Sequence, residues 1–289
     1  MGIESNLGTG PPIAQLASLS IWLLPGALRV NQAHRLAGQQ PDNLCGPYWV
    51  TILLQAYDRA AFSAEAVALL AKSVLPVGDS SLWLPKGASS RQNYSIALPQ
   101  SRRVEDAGTA VSGLIEAVSR ASEGRYALVP LRANWSAERV TGLLALCEDF
   151  PRWQATPICN LQTGFLWGSR LALGDALAYL SGEDIDPPKV DWNIGHYLTL
   201  AGTVKGTARS FSTDTGRTLV IVRDSYPTFG WDGYHLQPAE AIANALRRDD
   251  GAEGGVLLFV AAKNQLEIEG ETRARGFDIA VWDNGTPWP

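Results

Sequence analysis

The sequence predicts an α+β protein, with helices dominating the first half and antiparallel strands the second. Apolar residues recur at helical spacing between positions 45 and 150, whereas alternating runs follow position 195. Turn-like residues join the strands of the second half, where a parallel sheet would need crossover helices. The chain has 289 residues, 46% hydrophobic and 18% charged, which is the balance of a globular protein with a sizeable core.

Capping and helix-breaking residues place the helices of the first half. After a loose leader at 1–12, residues 13–38 are predicted to be helical, with an interruption at Pro25 and Gly26. A second helix begins right after Cys45, because a polar loop gives way there to an apolar run. Further helices are predicted from Ser63 to before Pro76, over 106–122, from Ser136 to Phe150 and over 172–181.

Alternation of side chains identifies the strands of the second half. Residues 195–205 alternate strongly, which predicts a strand with His196, Leu198 and Leu200 on one side. The same reasoning predicts strands over 218–223 and 255–262, a helix from Pro238 to Arg248, and shorter extended runs over 125–130 and 156–167. We expect a single domain over 1–289, with 61–190 as a helical insertion or subdomain and 265–289 as a possible tail.

Composition argues against several classes of partner. The net charge of −5 disfavours nucleic acid, and no cluster of four or more Lys or Arg could hold an anionic membrane. We expect neither a signal peptide nor a membrane span. The three cysteines give no disulfide framework and no zinc-like spacing, so we expect a cytoplasmic protein with no metal and no cofactor.

Cys45 is the candidate nucleophile. It lies where a polar loop meets an apolar helix, and the unpaired N–H groups and dipole of a helix N-terminus stabilise a thiolate. Cys147 instead lies inside an apolar run, as a structural cysteine does, and Cys159 has no helix start beside it.

A nucleophilic cysteine needs a base and a group that orients the base. His196 is favoured as the base because it stands at the mouth of a strand, with His235 as the second choice and His34 as a surface or packing residue. Asp224 ends the next strand, which antiparallel pairing brings beside the start of the His196 strand. Asp232 is the alternative orienting group.

The anionic intermediate of such a reaction needs hydrogen-bond donors. The backbone N–H of Cys45 supplies one, and a side-chain amide just upstream could supply another. Gln39 lies six residues before Cys45 and Gln40 lies five before it, while Asn43 is a weaker option.

These residues form an ordered set that resembles the papain-like cysteine peptidases. The set is Gln39-x5-Cys45-Gly46-Pro47, then Gly195-His196-Tyr197, then Val222-Arg223-Asp224, and it is most similar to the bacteriocin-processing branch. The resemblance covers roughly 36–60 and 190–262. It implies a papain-like fold, in which helices come first with the nucleophile at a helix start and an antiparallel sheet carries His and Asp. It further implies Cys45 as nucleophile, His196 as base, Asp224 as orienting group and Gln39 in the oxyanion hole.

The function expected from the set is a cysteine peptidase that cleaves a peptide. By resemblance, the substrate would be the leader of a ribosomally made peptide. The same thiol chemistry could instead pass the acyl group to an amine, as a transpeptidase or cyclase does, and analysis of the product would separate the two. A peptide-binding module without catalysis is a third hypothesis. The expected partner is a peptide substrate; the oligomeric state is not predicted.

Overall fold

The computed structural model describes residues 19–59, 61–168, 171–188, 190–206 and 217–287. These residues form an α+β fold with eight α-helices and an eight-stranded antiparallel sheet. The leader expected at 1–12 lies outside the described residues.

The helices and strands are numbered in chain order. The helices are α1 (Ala27–Ala37), α2 (Cys45–Asp58), α3 (Ala64–Leu70), α4 (Val111–Ala121), α5 (Ala137–Asp149), α6 (Leu173–Leu180), α7 (Ala239–Arg247) and α8 (Gln265–Ala274). The strands are β1 (Leu19–Leu23), β2 (Leu75–Pro76), β3 (Gln100–Ser101), β4 (Tyr126–Arg132), β5 (Thr156–Gln162), β6 (Gly195–Gly206), β7 (Thr218–Arg223), β8 (Tyr234–Pro238), β9 (Gly255–Ala261) and β10 (Asp278–Ile279).

The large sheet has the strand order β10-β4-β9-β5-β6-β7-β8, with β1 also paired to β6. Strand β6 is long enough to pair with two strands in succession: its first half pairs with β5 and its second half pairs with β1. A bulge in β6 lies at Gly202, where β1 comes so close that a side chain would collide with the carbonyl oxygen of Trp22. The short strands β2 and β3 form a separate parallel pair.

The sheet is packed between two layers of helices. Alternate residues of each strand point to opposite faces, so Leu198 joins one hydrophobic core and Tyr197 the other. Helices α5, α7 and α8 cover the first face, and α2, α3 and α4 cover the second. Helix α2 is buried at every position from Gly46 to Leu54, so its first residue is held by the core itself.

Ser63 and Ser136 cap α3 and α5 as expected, each accepting a backbone N–H three residues later. Within the described residues, no helix is long and apolar enough to cross a membrane.

Three expectations about the chain's organisation are corrected. The segment 61–190 is not a separate helical subdomain, because β4 and β5 are inner strands of the large sheet and β5 lies between β9 and β6. The segment 265–289 is not a loose tail over its described part: it forms α8 and β10, and Trp282 is only 3% exposed. The first part of 13–38 that is described is strand β1 and not helix, because it pairs with the distant end of β6.

Candidate active site

Cys45 is the first residue of α2 and is partly exposed. Leu44 precedes it as N-cap and makes no side-chain cap, so no capping side chain occupies the first N–H groups of the helix. The other two cysteines are buried, which raises the pKa of Cys147 to about 12 and that of Cys159 further still. Cys45 is therefore the cysteine placed to react.

His196 is the second residue of β6 and connects Cys45 to Asp224. Its Nε2 lies 3.3 Å from Oδ1 and 3.2 Å from Oδ2 of Asp224, with both side chains buried. Asp224 follows directly after β7, whose last residue, Arg223, pairs with Thr199 of β6. The Cys45 thiol interacts with the same imidazole, and both residues line one cleft.

The charges of these groups support one another. Burial by itself would lower the pKa of His196, but the Asp224 carboxylate and the contact with Cys45 outweigh it and raise this pKa to about 10. Burial opposes the Asp224 charge too, yet His196 and the backbone N–H of Tyr226, at 2.9 Å, lower the pKa of the carboxyl. The Asp224 carboxylate and the His196 ring thus each favour the charged form of the other.

Two aromatic rings pack against His196. Trp192 contacts it edge to face with ring centroids 4.9 Å apart, and the Tyr226 ring lies 5.9 Å away. Trp192 is itself fixed by a hydrogen bond from Nε1 to the carbonyl of Trp83 at 2.9 Å. These rings keep water from the bond between His196 and Asp224. The sequence analysis missed Trp192, because nothing distinguished it from the other tryptophans.

The other two histidines are buried behind the site. His235, the second choice for the base, accepts a hydrogen bond at Nδ1 from Gln237 at 2.9 Å, and the contacts described for it do not include Cys45. His34 is 3% exposed and meets the hydroxyl of Tyr234 at 3.2 Å, so it is a packing residue and not a surface one. Burial lowers the pKa of both histidines to about 4. Asp232, the alternative orienting group, is exposed in a turn.

The structure places Gln40, and not Gln39, in the wall of the cleft. Gln39 turns away and donates from Nε2 to the carbonyl of Ser89 at 2.6 Å. Gln40 is 1% exposed, accepts from the Ser225 hydroxyl at 2.5 Å and donates to the Tyr226 hydroxyl at 3.1 Å. The expected position of Gln39 is therefore corrected: Gln40 lines the cleft with Cys45, whereas Gln39 is held outside it by Ser89.

Asp42 fixes the loop that leads to Cys45, and the sequence analysis missed this residue. Its buried carboxylate accepts from the hydroxyls of Ser80 and Ser90, both at 2.6 Å, and from the backbone N–H of Arg91 at 2.9 Å. Its carbonyl accepts from the Tyr94 hydroxyl at 3.0 Å. The only sequence signal was an acidic residue next to an apolar helix, which is also typical of a solvated loop.

A cleft of ≈ 380 Å³ opens beside the sulfur. Its walls include Gln40, Cys45, Asn160, His196, Tyr226 and Asn284. Among the described residues, no group of three or more His, Cys, Asp or Glu side chains could hold a metal ion.

The arrangement defines a cysteine–histidine–aspartate site in a cleft on an α+β fold. Residues 24–283 match the model of a family of unknown function, DUF6885, and the chain belongs to that family. Searches of curated proteins and of solved structures found no match.

Proposed function

We propose that this protein is a cysteine peptidase of the papain-like type. The observation that carries the proposal is the contact of Cys45, at a helix start, with a buried imidazole whose Nε2 meets the Asp224 carboxylate. A nucleophile, a base and an orienting group in this relation form a catalytic triad. The order Cys, His, Asp along the chain agrees with the resemblance of the sequence.

The proposed reaction begins when the Cys45 thiolate attacks the carbonyl carbon of a peptide bond. The resulting oxyanion accepts hydrogen bonds from the backbone N–H of Cys45 and from the Gln40 amide. His196 then gives its proton to the leaving amine as the C–N bond breaks, and a thioester remains on the sulfur. Water attacks the thioester as His196 takes its proton, and the C–S bond breaks, which releases the acid and restores the Cys45 thiolate and the protonated His196.

The substrate that fits this proposal is a peptide in extended form. The cleft is open to solvent, its volume of ≈ 380 Å³ is within the usual range of ligand sites, and its walls combine apolar and polar side chains. A leader peptide of a ribosomally made product, met in the cytoplasm, is the substrate class to test first.

The test combines peptide cleavage with thiol labelling. Purified protein is incubated with a synthetic peptide library and the products are identified by mass spectrometry. We expect Cys45→Ala and His196→Ala each to abolish cleavage, and Cys147→Ala, at a buried thiol, to retain catalysis if it folds. Iodoacetamide should label Cys45 well before Cys147 in the native protein, since thiolate and not thiol reacts.

Cleavage that survives in Cys45→Ala, or labelling of Cys45 no faster than that of Cys147, would refute the proposal. Amide products in place of acids would instead identify an acyl transferase. Peptide binding without turnover in the wild type would identify a binding module.

A further inference from the structure

One wall of the cleft carries two side-chain amides beside the triad. Asn160 belongs to β5 and pairs across the sheet with Tyr197, the residue after His196. Asn284 belongs to the segment 282–287, and its Nδ2 lies 3.3 Å from the Tyr197 hydroxyl. Gly46, next to Cys45, packs so closely on the Tyr197 ring that a Cβ there would be 3.3 Å from it. The two amides thus line the same cleft as Cys45, and Tyr197 lies between them and Gly46.

The chemistry of their partners fixes which way each amide is turned. The oxygen of Asn160 accepts from Nε1 of Trp282 at 3.2 Å and from Nη1 of Arg248 at 3.4 Å. Indole and guanidinium groups only donate, so the accepting atom must be the oxygen. Asn284 donates to the backbone carbonyl of Thr109 at 3.0 Å, and a carbonyl only accepts, so that atom must be the nitrogen.

Each amide therefore keeps one end for a ligand. Nδ2 of Asn160 and Oδ1 of Asn284 have no hydrogen-bond partner among the described residues. Asn160 is only 2% exposed and lines the cleft, so its free donor is available to a group bound in the cleft.

The neighbouring arginine does not turn this wall into a site for acids. The Arg248 guanidinium lies against Gly195, where a Cβ would be 2.9 Å from its Nη2. Its charge is already matched by Asp250, through contacts of 2.9 Å from Nε and 2.6 Å from Nη2. A carboxylate ligand would have to compete with Asp250, whereas a neutral group with one donor and one acceptor meets both free ends.

We propose that Asn160 and Asn284 form a subsite that binds one amide group of the substrate. The amide carbonyl accepts from Nδ2 of Asn160, and the amide N–H donates to Oδ1 of Asn284. This inference rests on the proposed function, since it names what the same cleft recognises. The amide comes either from the substrate main chain or from an Asn or Gln side chain, and the experiment separates these sources.

The probes are peptidyl chloromethyl ketones, which alkylate a cleft cysteine whether or not the protein turns peptides over. One series exchanges Gln for Glu or Met at each position, and a second replaces each backbone amide by an ester. Rates of alkylation are measured by intact mass. They are divided by the rate with methyl methanethiosulfonate, a small reagent without an amide, so that changes in the thiol itself cancel.

We expect one exchange, in one of the two series, to slow alkylation of the wild type about tenfold. This fold-change corresponds to a free-energy difference of roughly 1.4 kcal/mol. Asn160→Asp keeps the oxygen that Trp282 and Arg248 need and replaces the free donor by an acceptor. It should remove a preference found in the Gln series, where Met lacks the carbonyl that Asn160 holds. Asn284→Ala should remove a preference found in the ester series, where only the N–H is lost. Asn264→Asp, at the start of α8, should change neither. If Asn160→Asp fails to fold, Asn284→Ala at the half-exposed wall tests the N–H contact in the same way.

A sensitive position in the ester series identifies a main-chain amide, and one in the Gln series identifies a side-chain amide. If neither series separates amide from isostere in the wild type, or if both variants keep the preference, the subsite does not exist. The proposed function fails separately, by absence of peptide turnover, and that result would leave a measured amide preference intact.

Discussion

His196 stands between groups that act on its proton in opposite directions. Burial under Trp192 and Tyr226 favours the neutral ring, and the Asp224 carboxylate favours the charged ring and prevails. The pKa of the ring is therefore raised to about 10, and in the proposed reaction its proton would be available to the leaving amine throughout the neutral range. The orienting carboxylate also sets the charge state of the base.

The dependence on Asp224 can be measured from the pH profile of the peptidase. In the wild type, we expect the alkaline limb of kcat/KM to report loss of the His196 proton near pH 10. Asp224→Asn removes the charge that raises this pKa and leaves the burial that lowers it. The limb should therefore move to lower pH, with a lower maximal rate. A variant whose alkaline limb stays in place would show that another group titrates there.

The two adjacent glutamines give a matched pair for the oxyanion hole. Gln40→Ala should lower kcat by about 10²–10³, the usual cost of losing one oxyanion donor. Gln39→Ala should change it little, because the Gln39 amide is bonded to Ser89 outside the cleft. Thermal unfolding of both variants controls for the bonds that Gln40 makes to Ser225 and Tyr226. Equal rates in the two variants would remove Gln40 from the proposed mechanism.

Part of this site could be predicted from the sequence, and the difference has a physical cause. Cys45, His196 and Asp224 sit at ends of regular elements, so local patterns locate them and antiparallel pairing relates two of them. Gln40 and Asp42 lie in an irregular loop, whose course depends on a bend at Asn43 and on bonds to residues some forty or more positions away. A local pattern holds no information on such contacts.

At the scale of elements, the site depends on how the loop before α2 is attached. Helix α2 is anchored by its buried length, and Asp42 joins the preceding loop to the loop that contains Ser80 and Ser90. The positions of the strands likewise depend on partners that are distant in the sequence. Strand β5 could be identified as extended from its own apolar run, but its place between β9 and β6 is set by partners far along the chain. The expectation of a separate helical subdomain failed for that reason.

Asp42→Asn should loosen this loop without changing its shape. The amide can no longer accept from all of Ser80, Ser90 and the Arg91 N–H, so a buried donor is left unpaired. We expect a loss of about 2 kcal/mol in the free energy of unfolding and slower alkylation of Cys45 in the native protein.

The matched control is Asp79→Asn in the same loop region, where an exposed carboxylate accepts the Ser81 N–H. Urea unfolding and iodoacetamide labelling of both variants provide the comparison. Labelling that is equally fast in Asp42→Asn and in the wild type would mean that α2 alone positions the sulfur.

For the whole molecule, burial of all three histidines links stability to pH in two directions. His196 has a folded pKa of about 10, so its contribution is complete below pH 6.5 and is lost as the pH rises towards 10. His34 and His235 have folded pKa values of about 4, so their contributions are present above pH 6.5 and are lost as the pH falls towards 4. Stability should therefore be greatest near neutral pH.

The loss of stability at acidic pH gives the sharpest test, because it comes from His34 and His235, which take no part in the proposed reaction. Lowering the pH from 8 to 5 protonates His34 and His235 in the unfolded chain but hardly in the folded one, which costs roughly 2 kcal/mol for each histidine.

We expect urea unfolding of Cys45→Ala protein, used to avoid thiol chemistry, to show this loss. His34→Gln and His235→Gln start less stable at pH 8, yet each should lose about 2 kcal/mol less between pH 8 and pH 5. The slope with pH, and not the stability at one pH, is the readout, since it cancels the cost of the substitution. A slope unchanged in both variants would mean that these rings bind protons equally well in the folded protein, and that their burial does not keep them neutral.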